Sequence, residues 1–211
     1  MPLYKTLEPS PEISLHIWKI EETEEDLAKG IELTTHCQDR FNGMKSQLHR
    51  RGFLSIRHLM ALADYVDRDL YYDEHGKPHL KDGTYISITH SHEFTGIVVS
   101  KGREVGIDIE KQRDKILRIA HKFTPLREYR SLANTDALIR KLTLVWCCKE
   151  AIYKVCSIPG LSFLQNIIIR DFALGDAHTT GKAHYKGKEI TFDLELMEFE
   201  GFTCAHALRT K

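Results

Sequence analysis

The stretch Val105-Gly106-Ile107-Asp108-Ile109-Glu110 alternates strictly between two kinds of residue, which is the pattern of a β-strand with two different faces. Its three β-branched residues predict a face that packs inward. Asp108 and Glu110 share the opposite face with Gly106, about 7 Å apart along the strand. The glycine is expected to leave open space beside them.

Two carboxylates on one face repel each other unless a cation lies between them. Hard oxygen ligands select Mg²⁺ or a similar ion, usually with phosphate completing the coordination shell. The alternative is a half-exposed strand whose acids are simply solvated, and the spacing of Asp108 and Glu110 does not separate the two interpretations.

A second stretch, Trp146-Cys147-Cys148-Lys149-Glu150-Ala151-Ile152-Tyr153-Lys154, has helical periodicity. Trp146, Glu150 and Lys154 follow one another at intervals of four, so the last two project together from one stripe. They form either a surface ion pair, or an acid that can bind metal or take a proton beside a cation that can hold phosphate. A tryptophan on the same stripe favours a cleft or an interface.

A third stretch, Ser87-Ile88-Thr89-His90-Ser91-His92, ends a predicted strand with hydroxyls and imidazoles, which can donate hydrogen bonds to phosphate oxygens. His90 and His92 could also bind a transition metal, although no thiol or further histidine is spaced to support this. A structural role is the third possibility.

Around these stretches the chain predicts two α+β halves, with helices over 44–66 and 135–156. Lys101-Gly102 is predicted to join two strands as a hairpin, and Thr124-Pro125 to cap a further helix. The predicted strands are 85–90, 96–100, 105–110, 166–170, 182–185, 189–196 and 202–208. A helix followed by antiparallel strands, twice over, predicts a pseudo-duplicated α+β fold with halves at 1–102 and 103–211.

Composition excludes several classes of protein. The 211 residues carry 30 Lys+Arg against 30 Asp+Glu and are 42% apolar, which excludes whole-chain disorder and a coiled coil. The five cysteines show no C-x-x-C spacing, which argues against a disulfide framework and a structural zinc cluster. No apolar run is long enough to span a membrane, and the N-terminus shows no signal-like apolar core. We therefore expect a cytoplasmic protein without a membrane partner.

Positive charge is concentrated in residues 111–130, called the basic segment below. Seven lysines and arginines stand there against two acids, a local charge of +5. The segment is either a solvated face or a docking surface for an acidic macromolecule. Its charged residues are Lys111, Arg113, Asp114, Lys115, Arg118, Lys122, Arg127, Glu128 and Arg130.

These motifs closely resemble those of the 4'-phosphopantetheinyl transferase superfamily. Its paired motifs, G-[IV]-D-[IV]-E and W-x-x-K-E-A-x-x-K, are both complete here, at 106–110 and 146–154. Phe123-Thr124-Pro125-x-x-Glu128 resembles the F-[ST]-x-x-E segment between them. Further upstream, Gly76-Lys77-Pro78, the stretch 86–91 and Phe53-Leu54-x-x-Arg57 resemble the G-K-P, S-x-S-H-S and F-L-x-x-R segments. The resemblance covers about residues 50 to 160.

The length of the chain resembles that of the surfactin-synthetase-activating (Sfp) type, whose members are monomeric pseudo-dimers with the active site between two halves. Holo-ACP-synthase-type members are about half as long and trimeric. Two positions depart from the pattern: Thr89 stands where serine is usual, and His92 where a small residue is common.

The resemblance implies transfer of the 4'-phosphopantetheine arm of coenzyme A to a serine of an apo acyl- or peptidyl-carrier protein, with release of 3',5'-ADP. It implies that Mg²⁺ is held by Asp108, Glu110 and Glu150. Glu150 would also be the candidate base for the serine proton, and Lys154 would neutralise the departing phosphate, which makes Glu150, Lys154 and Asp108 the expected catalytic group.

The resemblance also implies residues that bind coenzyme A. Thr89 and His90 would hold phosphate oxygens, while Arg57 and Lys77 would hold the 3'-phosphate. The basic segment would dock the carrier, because carrier domains are typically acidic. Which carrier is served, in fatty acid biosynthesis or secondary metabolism, is left open, as is the use of acylated coenzyme A.

Two other functions remain. A Mg²⁺-dependent phosphodiesterase or nuclease could use the same carboxylates, but it needs a nucleic-acid groove and the basic residues here are local, so no nucleic-acid partner is expected. A non-catalytic carrier-binding module is the other, and the completeness of both motifs speaks against it.

Overall fold

The structure, a computed structural model, describes residues 3–125 and 134–210. The chain divides into two compact units, Met1–Gly102 and Arg103–Lys211. No helix within the described ranges is both long and apolar enough to cross a membrane.

The first unit is built on a four-stranded antiparallel sheet in the order β1-β2-β6-β5, with a separate β3–β4 hairpin. The long helix α3 packs on the sheet, where Leu54, Leu59 and Met60 meet Ile97 in the core. The elements are β1 (Leu3–Ser10), β2 (Ile13–Lys19), α1 (Glu24–Ala28), α2 (Thr35–Asn42), α3 (Gln47–Leu62), β3 (Leu70–Tyr72), β4 (Pro78–Leu80), β5 (Tyr85–Ser91) and β6 (Phe94–Ser100).

Helix α3 runs unbroken through Gly52. A Cβ at that position would lie 2.7 Å from Cδ2 of His90, so the glycine lets the imidazole of β5 pack directly against the helix. Packing therefore explains a residue whose helix propensity is poor.

The second unit is built on a five-stranded antiparallel sheet in the order β7-β11-β10-β9-β8. Helix α5 packs along it, and Cys148 and Ala151 meet Ala205 and Ala207 in the core. The elements are β7 (Val105–Lys111), α4 (Lys115–Phe123), α5 (Thr135–Cys156), α6 (Phe163–Asn166), β8 (Ile167–Ile169), β9 (His178–Tyr185), β10 (Lys188–Phe199) and β11 (Phe202–Arg209).

Two tight turns connect β9 to β10 and β10 to β11. Lys186-Gly187 has φ of 47° and 76°, and Glu200-Gly201 has φ of 46° and 76°. Two consecutive residues with positive φ are the signature of the type I′ turn, whose twist matches that of the strands it joins. The turns therefore fix the register of this three-stranded meander.

Gly106 brings β7 and α5 into close contact. A Cβ on this residue would lie 2.0 Å from the carbonyl oxygen of Ala151 and 3.0 Å from Cγ2 of Val155. The prediction that Gly106 leaves open space beside the carboxylates is therefore wrong, because the helix fills that space.

Helix α5 confirms the predicted span 135–156. Asn134 caps its start by accepting from the amide of Ala137, and Ser157 ends it in the left-handed conformation with φ of 48°. Antiparallel sheets with long helices α3 and α5 also confirm the α+β class. Whether the units are duplicates stays a prediction.

The predicted hairpin across Lys101-Gly102 is wrong. Strand β6 pairs with β2 and β5, whereas β7 pairs with β11 of the second unit. The hairpin in this region is β5–β6, which turns at His92 and Glu93. The helix expected after Thr124-Pro125 falls on residues 126–133, outside the described residues, so it stays a prediction. Helix α4 lies just before this position.

Candidate active site

Strand β7 carries the first two acids of the site. Asp108 lies opposite Ala205 of β11 and Glu110 opposite Thr203, on the face that α5 covers. Asp108 is consequently buried, and only the end of the strand at Glu110 is partly open to solvent. The alternative of a half-exposed strand with two solvated acids does not describe this arrangement.

Lys154 ties α5 to β7. Its ammonium donates to Oδ1 of Asp108 at 2.8 Å and to the carbonyl oxygen of Ile107 at 2.7 Å. The side chain is 28% exposed and that of Asp108 is 8% exposed. The cation therefore bridges two elements, and does not serve merely as an i, i+4 partner of Glu150 on a helix surface.

Glu150 lies one turn before Lys154 on α5 and is half-buried. Its pKa is raised to about 7 by burial first and by the negative charge of Asp108 next, while Lys154 opposes the shift and Glu110 adds to it. The three carboxylates therefore interact electrostatically, and Glu150 can exchange a proton near neutral pH.

Trp146, one turn before Glu150, is held on two sides. Its ring meets Phe123 edge-on at 5.0 Å between centroids and Phe163 at 5.4 Å. The indole N–H donates to Oε1 of Glu110 at 3.3 Å. The tryptophan on the polar stripe is thus a half-buried residue that orients one of the acids.

The chemistry of the three acids suits a hard divalent cation. Within the described ranges, no three His, Cys, Asp or Glu side chains are already arranged as metal ligands. Oδ1 of Asp108 accepts from Lys154 and Oε1 of Glu110 accepts from Trp146, so one oxygen of each carboxylate is oriented by a neighbouring donor. The raised pKa of Glu150 is the electrostatic penalty that a bound cation would relieve, so the donor set fits Mg²⁺.

A cavity of about 180 Å³ opens beside Glu110, and we call it the Trp146 pocket. Its apolar wall is formed by isoleucines of α4 and by the indole of Trp146. Its positively charged side chains belong to the first residues of the basic segment. The lining residues are Glu110, Lys111, Arg113, Lys115, Ile116, Ile119, Thr143 and Trp146.

In the first unit, Thr89 and His90 are adjacent on β5. Thr89 is buried, and the imidazole of His90 meets that of His49 edge-on at 5.6 Å between ring centroids. Burial lowers the pKa of His90, and the neighbouring His49 and His92 lower it further. Nε2 of His90 is buried and has no hydrogen-bond partner among the described residues.

His92, which departs from the small residue that is common in the family, occupies the β5–β6 turn with φ of 51°. Lys77 follows Gly76, at φ of 81°, just before β4. The amide of Lys77 donates to Oδ1 of Asp73 at 2.9 Å, so the G-K-P segment is a structured turn.

Arg57 points into the core of the first unit. It is only 4% exposed, and its guanidinium donates to Oδ1 of Asp67 from Nε at 2.9 Å and to the carbonyl oxygen of Phe53 at 3.2 Å. These contacts give Arg57 a structural role, and its assignment to the 3'-phosphate stays an untested prediction.

Arg51 is a candidate that the sequence analysis missed. Its Nη2 donates to the carbonyl oxygen of Ile20 at 3.1 Å, whereas its Nε is buried and lacks a hydrogen-bond partner in the described part of the chain. Its neighbour Gly52 packs against His90. Buried polar atoms are normally satisfied, so the unsatisfied nitrogens of Arg51 and His90 mark both residues as candidates for binding a ligand. The glycine within a helix was the sequence signal for this region.

Two comparisons with known proteins bear on this site. Residues 104–205, which contain β7 and α5, match the 4'-phosphopantetheinyl transferase superfamily. The 4'-phosphopantetheinyl transferase HetI of Nostoc sp. (strain PCC 7120 / SAG 25.82 / UTEX 2576) is 29% identical over 176 residues, covering 74% of this chain and 73% of that protein. Both agree with the resemblance carried by the sequence motifs.

Proposed function

The chain belongs to the 4'-phosphopantetheinyl transferase superfamily, and we propose that it transfers the 4'-phosphopantetheine arm of coenzyme A to a serine of an apo acyl- or peptidyl-carrier protein. The observation that carries this proposal is that the two motifs meet in the structure. Lys154 of α5 donates a hydrogen bond to Asp108 of β7. The negative charges of Asp108 and Glu110 both raise the pKa of Glu150.

In the proposed reaction, the serine hydroxyl oxygen bonds to the β-phosphorus of coenzyme A. The bond from that phosphorus to the oxygen bridging it to the α-phosphorus breaks, and 3',5'-ADP leaves with the electron pair. Glu150 takes the serine proton, directly or through water, because it is the carboxylate of α5 that lies beside the two acids of β7.

Charge builds on the phosphoryl oxygens during such a transfer, so positioning and electrostatics dominate catalysis. Lys154 would neutralise the departing phosphate from its place beside Asp108. Asp108, Glu110 and Glu150 would hold Mg²⁺, which supplies Lewis-acid stabilisation of the pyrophosphate.

For coenzyme A, we propose that Thr89 and His90 hold phosphate oxygens and that Lys77 contributes to the 3'-phosphate site. The unsatisfied Nε of Arg51 supports this arginine as the second cation, whereas the donors of Arg57 already serve Asp67 and Phe53.

The basic segment is the proposed docking face for the carrier. Lys111, Arg113 and Lys115 surround the apolar side of the Trp146 pocket. A cationic rim around an apolar floor complements a partner helix that presents carboxylates around an apolar side chain. We further propose that the protein is a cytoplasmic monomer of the Sfp type, with 1–102 and 103–211 as duplicated halves and with neither a nucleic-acid nor a membrane partner.

The test is incubation with coenzyme A, Mg²⁺ and an apo carrier protein, followed by intact-mass measurement of the carrier. The carrier should gain the mass of one phosphopantetheine arm, and a carrier with its acceptor serine changed to alanine should gain nothing. Chelation of divalent ions should stop the reaction, and added Mg²⁺ should restore it.

The same experiment separates the alternatives. A phosphodiesterase would cleave coenzyme A or a generic phosphodiester without a carrier, and a carrier-binding module would retain the apo carrier on a column without changing its mass. Either result, from folded protein offered both acyl and peptidyl carriers, would contradict the proposed function.

A further inference from the structure

Helix α5 buries two lysines, Lys141 and Lys149, two turns apart. Lys149 is fully buried, and its ammonium donates to the carbonyl oxygens of Phe163 at 3.0 Å and Ile167 at 2.7 Å. Phe163 is the first residue of α6, and Ile167 caps its C-terminal end. A buried ammonium is costly unless it is satisfied, and these two carbonyl oxygens supply the partners that Lys149 needs.

We propose that Lys149 is a positioning residue for the active site: it holds α6 so that Phe163 fixes the indole of Trp146, which in turn orients Glu110. The role of Glu110 rests on the proposed function. The chain of contacts itself does not.

The first step of the chain is the anchoring of α6. A helix of four residues satisfies few of its own carbonyl groups. Lys149 supplies donors to the carbonyls at both ends of α6, and so fastens the short helix to the middle of α5.

The second step is aromatic. The Phe163 ring lies 5.4 Å from that of Trp146 and 5.5 Å from that of Tyr153, between centroids. Phe123 holds the indole from another side. If α6 shifts, Trp146 loses one of these two supports.

The third step is the hydrogen bond from the indole N–H to Oε1 of Glu110, at 3.3 Å. A Trp146 ring that is free to tilt no longer orients this carboxylate. Partners that orient metal-binding carboxylates commonly change metal affinity or activity by about 10–100-fold when removed.

Lys141 provides a matched control. It is also buried on α5, and its ammonium donates to Oδ1 of Asp171 at 2.8 Å and to the carbonyl oxygen of Phe172. Its partners follow β8, and they are distinct from α6 and from the rings around Trp146. Lys141→Met should therefore cost stability as Lys149→Met does, without disturbing the indole.

The experiment uses the full chain with Trp18→Phe, which leaves Trp146 as the remaining tryptophan of the two. In Lys149→Met we expect the emission of Trp146 to move to longer wavelength and its quenching by acrylamide to rise. The Mg²⁺ concentration that gives half-maximal transfer should rise about 10-fold. Lys141→Met should lower the melting temperature and leave the emission, the quenching and the Mg²⁺ requirement unchanged.

Phe163→Leu is the second variant, which tests the same contacts with Lys149 in place if Lys149→Met does not fold. It should reproduce the changes in the emission of Trp146 and in the Mg²⁺ requirement. Unchanged emission in either folded variant would overturn the proposal, and so would changed emission with an unchanged Mg²⁺ requirement. If the parent protein transfers nothing, the proposed function fails, but the fluorescence still decides whether Lys149 and Phe163 hold Trp146.

Discussion

The ammonium of Lys154 and the carboxylate of Asp108 form an ion pair of 2.8 Å that joins helix α5 to strand β7 at the candidate site. The same ammonium also binds the carbonyl oxygen of Ile107, so it contacts both the backbone and a side chain of the strand. One pair of residues therefore links the architecture of the second unit to the chemistry proposed for it.

Removing only Lys154 should cost more stability than removing the pair. Lys154→Met leaves the carboxylate of Asp108 buried without its cation, and we expect a loss of about 1–3 kcal/mol in the free energy of unfolding. Adding Asp108→Asn should recover part of that loss. Urea denaturation of both single variants and the double variant measures the coupling, and strictly additive effects would show that the pair contributes nothing.

The stability of the metal-free protein should fall as pH rises through the range in which Glu150 loses its proton. Because the pKa of Glu150 is raised to about 7, above its usual 4.5, the unfolded chain releases this proton first. The contribution is therefore fully present below about pH 4.5 and is lost as pH rises through 7. The loss amounts to at most about 3 kcal/mol.

Glu150→Gln tests this pH dependence. In the presence of a chelator, the variant should melt above the parent at pH 8 and close to it at pH 5. A difference in melting temperature that is constant over this range would show that Glu150 titrates normally.

Gly106→Ala should disrupt the second unit. Its Cβ would meet backbone atoms of Ala151, which cannot move aside without displacing α5 from β7. We expect a loss of about 3 kcal/mol or failure to fold. Gly43→Ala is the control, because a Cβ there makes ordinary contacts of 3.5 Å and 3.6 Å, and thermal melting should change little.

Arg51→Ala and Arg57→Ala should have opposite phenotypes. Loss of Arg51 should weaken coenzyme A binding about 10-fold more than binding of the 3'-dephospho analogue, with little change in melting temperature. Loss of Arg57 should lower the melting temperature, because Asp67 is left buried without its ion pair. Calorimetric titration of each variant with both ligands measures these affinities. If folded Arg57→Ala loses affinity for coenzyme A but not for the 3'-dephospho analogue, the 3'-phosphate site is assigned to Arg57.

Charge reversal at the mouth of the Trp146 pocket should raise the KM for the carrier. Arg113→Glu combined with Lys115→Glu places acids where the acidic carrier is proposed to dock, and the salt dependence of KM should flatten. The affinity for coenzyme A should not change. Lys186→Glu with Lys188→Glu, on the β9–β10 hairpin, is the matched control. Equal effects in both pairs would show that the basic segment is only a solvated face.

The elements that the sequence predicted best are those whose signal is local. The alternation in Val105–Lys111 and the capped helix Thr135–Cys156 follow from residues adjacent in the chain, and the structure confirms both. The pairing of Asp108, Glu150 and Lys154 was accessible only through spacing and resemblance, since β7 and α5 are far apart in sequence.

What the sequence could not supply depends on distant partners. Arg57 has the residue type of a phosphate ligand, but its ion pair with Asp67 belongs to tertiary packing. Gly106 predicts open space from the sequence, because a missing side chain looks the same there whether solvent or a helix fills the gap. The hairpin predicted at Lys101-Gly102 is wrong for a similar reason, because turn residues show where the chain can turn but not which strands pair.

The two I′ turns at Lys186-Gly187 and Glu200-Gly201 also bear on the order in which the second unit folds. They make the β9–β10–β11 meander a set of local contacts with a low cost of loop closure. Strand β7, in contrast, must pair with β11 across about a hundred residues of chain, as in the pairing of Asp108 with Ala205. We therefore expect the meander to form early and the strand that carries the acids to dock late, so that the chain completes its candidate active site only at the end of folding.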